Sequence, residues 1–499
     1  MNILMLNPPF MGRFSRSSRS PAVAKGGTIY YPVWMAYATG VLEEAGFDVM
    51  LIDAPAEGLS IDEILPSIRT FSPGMIVLDT STPSLSSDIR TASFLKEQFP
   101  GAFVVLVGTH VSALPDETLR ISRNIDAIAR REYDLTLREL AGALQTGIPL
   151  SLVDGLSFWQ GDGIIHNPDR PFIDDLDRIP FVTKVYKKHL NVRNYSFAAA
   201  HFPMVMIFSG RGCRHRCTFC VYPQTFHGRG YRVRSPENVV EELAWIKSEM
   251  PEVKEIGIED DTFTSDRSRV RRICELLLEK NLRLTWYCNV RPDLDYETLR
   301  VMKSAGCRLV TTGFESGSQK MLDVMKKDLR LDRMRRFVKN ARKAKILVHG
   351  CIVIGYPGET RETIRQSLYF AKKLNCDSMQ FYPLYVYPGT EAYQKSMEEG
   401  CLSTTDYSLW VTDQGYHNCV LNLPDIPAEE LRRISDQAMK SYHFRPSYVG
   451  KKLWQGMVHP GEGWRSIKSA AVFMKSLRRQ PSNRKEKRGG PGLIRKIHL

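Results

Sequence analysis

Short apolar runs alternate with longer amphipathic segments over the first 145 residues of the chain. The apolar runs are predicted to be buried strands, since each is bounded by polar or turn-forming residues; they cover residues 3–6, 49–52, 75–78, 103–107 and 127–128. The segments between them place apolar residues at helical spacing over residues 34–45, 61–70, 87–99 and 135–144. This alternation predicts an α/β fold, with a doubly wound, Rossmann-like sheet whose ligand sites lie at the carboxyl ends of the strands.

A second alternating series runs from about residue 203 to about residue 400. It predicts six strands, over residues 204–208, 255–259, 283–289, 308–313, 347–354 and 378–382. Ser235 and Pro236 have the pattern of a helix cap and a first helical position. Later helices are predicted to start at Asp266, Asp295, Asp332 and Thr360. Six strand–helix units predict a partial (β/α)6 barrel; a second doubly wound sheet is the alternative.

The chain has 499 residues, which is too long for one ordinary core. We expect a Rossmann-like domain over residues 1–147, a linker with a small hairpin over 148–202, and the barrel over 203–400. Residues 401–446 are predicted to cap the barrel, and residues 447–499 form a basic tail.

The charge of the chain is concentrated in that tail. The net charge is +14, and residues 447–499 hold 13 Lys or Arg against 2 acidic residues, so the first 446 residues carry only +3. Residues 467–477 have amphipathic spacing beside basic residues, which suits an anionic membrane surface. Residues 480–496 are predicted to be disordered, and a solvated tail without a partner is the alternative. Nucleic acid is not expected, because the body is nearly neutral and has no base-stacking motif.

The absence of targeting signals and the use of cysteine predict a cytoplasmic protein. Association with a membrane through the basic tail is a further possibility that we expect within that compartment. No apolar run is long enough to span a bilayer, and the first residues read as a strand rather than a signal peptide. Ten cysteines in so long a chain do not suggest a disulfide scaffold. Seven of them are scattered and are interpreted as small buried side chains.

The other three cysteines form the chemical centre of the sequence. Cys213, Cys217 and Cys220 have C-x₃-C-x₂-C spacing directly after the predicted strand 204–208, where Gly210 and Gly212 allow a sharp turn. Three close thiolates can bind three irons of a [4Fe–4S] cluster and leave the fourth iron open. We expect the arginines of the loop, at positions 211, 214 and 216, to lower the thiol pKa values. A zinc site that uses His215 and plain structural cysteines are the alternatives.

With Phe219 just before the last cysteine, this loop resembles the signature of the radical S-adenosylmethionine (radical SAM) superfamily. The resemblance implies that the methionine part of S-adenosylmethionine binds the open iron. One electron then cleaves the sulfonium to give a 5′-deoxyadenosyl radical.

The strand ends of the barrel match the same family in order, although each also has an ordinary role as a turn or helix cap. By the resemblance, Glu259, Asp260 and Asp261 receive the methionine amino group. Ribose and carboxylate are held by Asn289, Arg291, Glu315 and Ser316. The adenine passes the backbone at Gly355 and Pro357.

The loops at the strand ends of the first domain resemble the cobalamin-binding domain that precedes many radical SAM barrels. By that resemblance, the corrin or its nucleotide tail is lined by Thr80, Ser81, Thr82, Gly108, Thr109, His110 and Glu132. The D-x-H-x-x-G motif for a lower axial histidine is absent, so His110 is either a ligand or a hydrogen-bonded loop residue. Some relatives keep this domain shape and bind no corrin.

The resemblance implies a cobalamin-dependent radical SAM enzyme that methylates an unactivated carbon. One alternative is cyclisation or rearrangement of a lipid or isoprenoid without methyl transfer. Three stretches are similar to hopanoid-associated radical SAM proteins: Tyr31-Pro32-Val33-Trp34, Arg131-Glu132-Tyr133-Asp134 and Asp53-Ala54-Pro55-Ala56. The other alternative is a protein of another class, which binds a cluster or corrin without turnover. The expected partners are a small-molecule substrate and an electron donor such as flavodoxin or ferredoxin. The aromatic stretch before residue 36 is read either as packing between domains or as an apolar wall over the substrate.

Overall fold

A computed structural model describes residues 1–458, 461–463, 465–467, 470–471 and 474 of the chain. The strands of the first sheet are β1 (Asn2–Asn7), β2 (Asp48–Asp53), β3 (Met75–Asp79), β4 (Phe103–Val107), β5 (Ala127–Ala129), β6 (Leu156–Gln160) and β7 (Gly163–His166). Its helices are α1 (Val33–Glu44), α2 (Ala54–Glu57), α3 (Ile61–Phe71), α4 (Leu85–Gln98), α5 (Thr109–Ala113), α6 (Pro115–Ile121) and α7 (Asp134–Thr146).

The first sheet has the order β2-β1-β3-β4-β5-β6-β7. Strands β1 to β5 are parallel, which confirms the doubly wound prediction. The hairpin predicted within the linker, β6 and β7, adds two antiparallel strands to the edge of this sheet. It pairs there because Ala127–Ala129 of β5 otherwise presents open backbone groups. The hairpin is therefore structurally part of the first domain.

The second half of the chain contains β8 (Met204–Ile207), β9 (Gly210–Arg211), β10 (Arg232–Val233), β11 (Glu255–Ile258), β12 (Trp286–Asn289), β13 (Cys307–Glu315), β14 (Leu347–Ile354) and β15 (Ser378–Pro383). The helices are α8 (Val182–His189), α9 (Val221–Thr225), α10 (Pro236–Glu249), α11 (Arg267–Glu279), α12 (Tyr296–Ser304), α13 (Gln319–Val324), α14 (Leu331–Lys343), α15 (Arg361–Leu374), α16 (Glu391–Glu398), α17 (Ala428–His443) and α18 (Pro446–Val458). Short 3₁₀ turns cover Thr82–Ser84, Leu150–Leu152, Leu176–Arg178, Val192–Asn194, Phe263–Ser265 and Tyr407–Trp410.

The second sheet consists of six parallel strands in the order β15-β14-β13-β12-β11-β8, so the six predicted units are present. Ser235, Asp266, Asp295 and Thr360 cap helices as predicted, each by accepting a hydrogen bond from a backbone amide of the first turn. Asp332 does not cap α14, because that helix already starts at Leu331 and Asp332 lies in its first turn.

Helix α1 joins the two domains and is buried from Val33 to Leu42. The Tyr37 hydroxyl donates to the Phe208 carbonyl (3.2 Å) and accepts from its amide (3.1 Å). Just before the helix, the Tyr31 hydroxyl donates to the Met204 carbonyl at 2.8 Å. These bonds fix the first domain against β8, the strand that leads into the cysteine loop.

The C-terminal elements cover the barrel. Helix α17 packs against β15 and lies beside α18. In the described part of the chain, no helix combines the length and the hydropathy that a membrane-spanning segment requires. Most of the predicted amphipathic segment 467–477 and all of segment 480–496 lie outside the described residues.

Candidate active site

The three cysteines lie on one loop that follows β8 and opens on a large cavity. Gly212 has φ +86°, and a Cβ at this position would lie 1.9 Å from the Gly230 carbonyl oxygen, so the turn requires glycine. Cys217 is buried, while Cys213 and Cys220 are partly exposed. All three line a cavity of about 1070 Å³ that extends across the barrel.

The ends of the cysteine loop are held by side chains that do not belong to the motif. Asp260 accepts from the Ser209 amide at 2.6 Å and from the Ser209 hydroxyl at 2.7 Å, before the first cysteine. The Gln224 side-chain amide donates to the carbonyls of Thr218 (3.1 Å) and Cys220 (2.8 Å). The loop is therefore preorganised by buried hydrogen bonds.

The arginines of the loop do not lower the pKa values of Cys213 and Cys220. Arg214 and Arg216 are exposed, and Arg211 turns away to bind Asp134, with Nη1 2.8 Å from Oδ2. Burial, with a smaller contribution from Asp261, raises the pKa of Cys213 and of Cys220. This differs from the expectation, because the charge that faces the thiols is a carboxylate and the loop cations lie elsewhere.

Two cations that the motif search missed do line the cavity. Arg19 Nη2 donates to the Glu259 carbonyl at 2.7 Å and to Asp261 Oδ1 at 3.2 Å. Lys327 Nζ lies 2.7 Å from Glu315 Oε1. Burial opposes the charge of Lys327, but Glu315 raises its pKa, so the ammonium is retained. Arg19 carries no sequence signal, since it lies in an irregular segment 240 residues before Glu259.

The predicted site residues of the barrel separate into two groups. Those that line the cavity with the thiols are Phe219, Glu259, Asp261, Asn289, Arg291 and Glu315. Those outside its lining are Asp260, Ser316, Gly355 and Pro357. Asp260 points away because neighbouring residues at a strand end face opposite sides.

One hydrogen bond joins two members of the first group. Asn289 Nδ2 donates to Glu259 Oε2 at 2.8 Å. Glu315 has φ +62°, and its carboxylate folds back over Gly313, where a Cβ would lie 1.9 Å from Oε1. Ser316 and Gly355 have structural partners instead: Ser316 Oγ lies 3.0 Å from Ser367 Oγ, and the Gly355 amide donates to Glu359 at 2.6 Å.

The far end of the cavity is apolar and is formed by the C-terminal elements. It includes Met379, Phe381, Met439, Phe444, Leu453 and Met457. Phe444, Leu453 and Met457 are 53%, 65% and 70% exposed, so the cavity opens to solvent among apolar side chains. In the aromatic stretch before α1, Tyr30 and Tyr31 both line the cavity, and Tyr31 also stacks on Tyr195 with ring centroids 3.8 Å apart.

The seven residues predicted to line a corrin lie together at the carboxyl edge of the first sheet, and none of them lines this cavity. Thr80, Ser81, Thr82 and His110 are at most 2% exposed. The Thr80 hydroxyl donates to the Val107 carbonyl at 2.7 Å, and Gly108 has φ +126° where a Cβ would meet the Thr80 carbonyl at 2.4 Å. Thr109 begins α5.

His110 and Glu132 differ in how well their polar atoms are satisfied. His110 Nδ1 lies 3.1 Å from Thr82 Oγ1, and its Nε2 is buried without a partner. Burial lowers the pKa of His110 to about 3, so the imidazole is neutral. Glu132 binds Arg232 and His227, with 2.9 Å from His227 Nδ1 to Oε1. Although burial opposes ionisation, these partners hold the pKa of Glu132 well below its usual range.

The donor set of the cysteine loop fits an iron–sulfur cluster. Three thiols on one loop share a cavity wall, with room beside them and polar groups that match an amino acid and a ribose. In the described residues, no group of three or more His, Cys, Asp or Glu side chains converges on a single metal ion. This finding concerns single-ion sites, because the ligands of a cubane are distributed over three irons.

The first-domain edge fits cobalamin in one respect, the neutral and unpartnered Nε2 of His110. The Tyr407 ring lies against His110 with centroids 4.8 Å apart, in an edge-to-face arrangement. A corrin on this nitrogen would therefore need the turn Tyr407–Trp410 to move.

Comparison with known proteins agrees with this architecture. Residues 207–371 match the model of the radical SAM superfamily, and residues 19–141 match the model of the B12 binding domain. An uncharacterized methyltransferase, PH0819, of Pyrococcus horikoshii is 30% identical over 456 residues, which are 91% of this chain and 95% of the relative. An anaerobic magnesium-protoporphyrin IX monomethyl ester cyclase of Rubrivivax gelatinosus is 28% identical, over 85% of this chain and 75% of the relative.

A hopanoid C-3 methylase of Methylococcus capsulatus is 25% identical over 80% of this chain and 74% of its own length. Among solved structures, the radical S-adenosylmethionine methyltransferase TsrM of Kitasatospora setae superimposes with a TM-score of 0.69, covering 96% of this chain and 99% of TsrM at 17% identity. The chain belongs to the radical SAM superfamily, in the branch that carries an N-terminal B12 binding domain.

Proposed function

We propose that this chain is an enzyme that cleaves S-adenosylmethionine reductively and uses the radical to methylate an unactivated carbon of an apolar substrate. One observation carries the proposal: the three thiols and the polar strand ends of the barrel line a single cavity. When bound, a [4Fe–4S] cluster on the three cysteines would supply the electron for cleavage, and cobalamin would carry the methyl group.

The residues of the chain bind and orient S-adenosylmethionine beside the thiols. Glu259 and Asp261 are the carboxylates that suit the methionine ammonium, and Arg19 holds both in place. Asn289, Arg291 and Glu315 suit the ribose hydroxyls and the methionine carboxylate. Asp260, Ser316, Gly355 and Pro357 act from behind the wall, because their contacts shape the loops and the strand ends.

The names of several relatives support methylation. PH0819 is called a methyltransferase, and the Methylococcus capsulatus relative is a hopanoid C-3 methylase. TsrM was solved with cobalamin and a [4Fe–4S] cluster bound. For this chain, the B12 binding domain match and the free Nε2 of His110 support cobalamin as the methyl carrier.

An apolar, lipid-like substrate suits the far half of the cavity. The wall there includes methionine, leucine and phenylalanine side chains, three of them exposed at the opening, interspersed with polar residues such as Gln380, Arg432 and His443. Lys451 and Lys452 lie on the same helix, but Lys451 is paired with Asp377 at 2.9 Å and burial lowers the pKa of Lys452 to about 8, so the exposed apolar side chains are the main feature of the rim. An anionic membrane that holds the substrate is the partner we propose for this rim.

Rearrangement or cyclisation without methyl transfer is the second candidate. Two observations favour it: a magnesium-protoporphyrin cyclase is among the relatives, and the edge proposed to bind the corrin is covered by Tyr407.

Methyl-labelled S-adenosylmethionine distinguishes the candidates. With anaerobically purified protein, reductant and an isoprenoid lipid extract, label in a lipid product would support methylation. A new lipid product without label, formed together with 5′-deoxyadenosine, would support rearrangement. Absence of 5′-deoxyadenosine would contradict both and favour a binding or sensor protein.

The membrane proposal has a separate test on vesicles with and without anionic phospholipid. The double variant Leu453→Glu, Met457→Glu should lose binding to anionic vesicles. Leu152→Glu changes a leucine of similar exposure on the first domain and should bind like the wild type. Equal binding by all three proteins would reject a membrane role for the rim.

A further inference from the structure

One cysteine outside the cluster loop lies on the wall of the active-site cavity. Cys351 is in the middle of β14, where His349, Cys351 and Val353 alternate along the inner face of the strand. All ten cysteines are in the described part of the chain, and of the seven outside the loop only Cys351 lines this cavity.

The neighbouring strands leave the Cys351 thiol open to the cavity. Cys351 pairs in register with Gly313 of β13 and with Gln380 of β15. Gly313 has no side chain of its own, and the Glu315 carboxylate folds over it, so Cys351 lies beside that carboxylate on the cavity wall. Cys351 is itself partly exposed, so its side chain is accessible from the cavity.

The surroundings of Cys351 favour the protonated thiol. Burial, and then the negative charge of Glu315, raise the pKa of Cys351 to about 12. The nearby phenol of Tyr382 acts on this pKa in the opposite direction, but more weakly than burial does. The hydrogen therefore stays on the sulfur at neutral pH, on a side chain that lines the cavity.

A protonated thiol on the wall of a radical enzyme has a specific chemical use. Its S–H bond is weaker than an aliphatic C–H bond, so it donates a hydrogen atom readily to a carbon radical. The nucleophilic thiolate, which other cysteine enzymes require, is disfavoured here by the same burial.

We propose that Cys351 is the hydrogen-atom donor that quenches a carbon radical formed in this cavity. In the step R• + Cys–SH → R–H + Cys–S•, a C–H bond forms and the S–H bond breaks. The thiyl radical then takes one electron from a low-potential donor of the flavodoxin or ferredoxin class and one proton from water.

This inference rests on the radical cleavage common to both candidate functions. It separates their later steps, since rearrangement must return a hydrogen to the product radical and methyl transfer does not.

The test needs no identified substrate, because S-adenosylmethionine itself supplies a carbon radical. Anaerobic protein is incubated with S-adenosylmethionine and dithionite in D₂O, without added thiols, and the 5′-deoxyadenosine is examined by mass spectrometry. Since a thiol exchanges its hydrogen with solvent, the wild type should place one deuterium in the 5′-methyl group.

The variants identify the donor. Cys351→Ser should still form 5′-deoxyadenosine, with deuterium reduced to background, because a serine O–H bond is too strong to donate and the radical then takes hydrogen from C–H bonds, which do not exchange with solvent. Tyr382→Phe keeps the thiol and should keep the deuterium. Cys401→Ser changes a partly exposed cysteine outside the cavity and should match the wild type. Iron content and circular dichroism of each variant verify its folding.

The outcomes separate this inference from the proposed function. No 5′-deoxyadenosine from the wild type would overturn the proposed function. 5′-Deoxyadenosine without deuterium from the wild type, or with equal deuterium from Cys351→Ser, would overturn the role of Cys351 alone. Loss of deuterium only in Tyr382→Phe would make the tyrosine the donor.

Discussion

The two parallel sheets of this chain end in similar sets of polar residues, but only one of these edges is open. At the second sheet, Glu259, Asp261 and Asn289 face a cavity of about 1070 Å³. At the first sheet, Thr80, Thr82 and His110 are buried beneath the turn Tyr407–Trp410. Polar residues at the strand ends therefore face an open cavity on one sheet and lie under a covering turn on the other.

The difference arises from what the chain places over each edge. Arg19 reaches the second edge from a segment that leaves room beside it, whereas the turn at residues 407–410 packs directly on the first edge. Polar groups that are sealed in this way must bond to one another, as Glu132 does with Arg232 and His227. Substitutions at the two edges should therefore have different consequences.

The largest effect is expected at the open edge, from Cys217→Ala. Removal of one of three cluster ligands should abolish iron incorporation and reduce 5′-deoxyadenosine formation by more than about 100-fold. Iron and sulfide content and a single-turnover assay measure this. Cys401→Ser is the matched control, and a Cys217→Ala protein that retains turnover would refute the cluster assignment.

Glu132 at the first edge and Asp261 at the second edge give the clearest comparison between the two edges. Glu132→Gln removes the charge of a buried network and should lower the free energy of unfolding by about 3 kcal/mol. Asp261→Asn removes one of two carboxylates that pair with Arg19 and leaves Glu259 as its partner, so the free energy of unfolding should change by only about 1 kcal/mol. Affinity for S-adenosylmethionine should nevertheless fall by about tenfold in Asp261→Asn.

Chemical unfolding and equilibrium binding measure the two effects separately. Glu139→Gln, at an exposed pair with Arg170, is the stability control. If Glu132→Gln left stability unchanged and weakened cobalamin binding, the first edge would be a ligand site in the same sense as the second.

Asp79 allows a test by pH. It is buried at the first edge, where burial, partly offset by Arg16, raises its pKa from 3.8 to about 7. Between these values the folded protein holds a proton that the unfolded chain releases, so this group's contribution to stability falls as pH rises from about 4 to about 7.

Asp79→Asn should remove this pH-dependent loss of stability. The variant should therefore be more stable than the wild type at pH 8, by at most about 4 kcal/mol. The two proteins should differ much less at pH 4. Denaturant titrations at both pH values check this, with the exposed Asp116→Asn as control. A difference that does not depend on pH would show that Asp79 ionises normally.

The sequence predicted the elements of both sheets well because their hydrophobic periodicity is strong. Residues 204–208 and 347–354 match β8 and β14 almost residue for residue. Residues 283–285 were wrongly included in a strand, since β12 starts at Trp286. The capping residues were also predictable, because their hydrogen bonds are local, and only Asp332 was misplaced.

The candidate site was only partly predictable because it depends on which residues face the cavity and on distant segments. Strand alternation alone could have separated Asp260 from Glu259 and Asp261. The same alternation could have drawn attention to Cys351 beside His349. Arg19 and the covering turn at 407–410 had no such signal, because nothing in a local pattern reports which segment folds over a strand end.

The smallest effect is expected from Tyr407→Ala, and it tests directly whether the first edge is closed against cobalamin. The Tyr407 ring lies on His110, whose Nε2 has no partner, and Tyr407 bonds otherwise only weakly, through a 3.3 Å contact with the Tyr393 hydroxyl. If the turn must move before cobalamin reaches the imidazole, removal of the ring should tighten binding of hydroxocobalamin by up to about tenfold, or 1.4 kcal/mol. The double variant Tyr407→Ala, His110→Ala should lose that gain, and Tyr369→Ala, which changes an exposed tyrosine on α15, should bind like the wild type. Weaker binding by Tyr407→Ala would mean that the ring is part of the cobalamin site, and the closed edge would then be a binding surface formed jointly with the C-terminal segment.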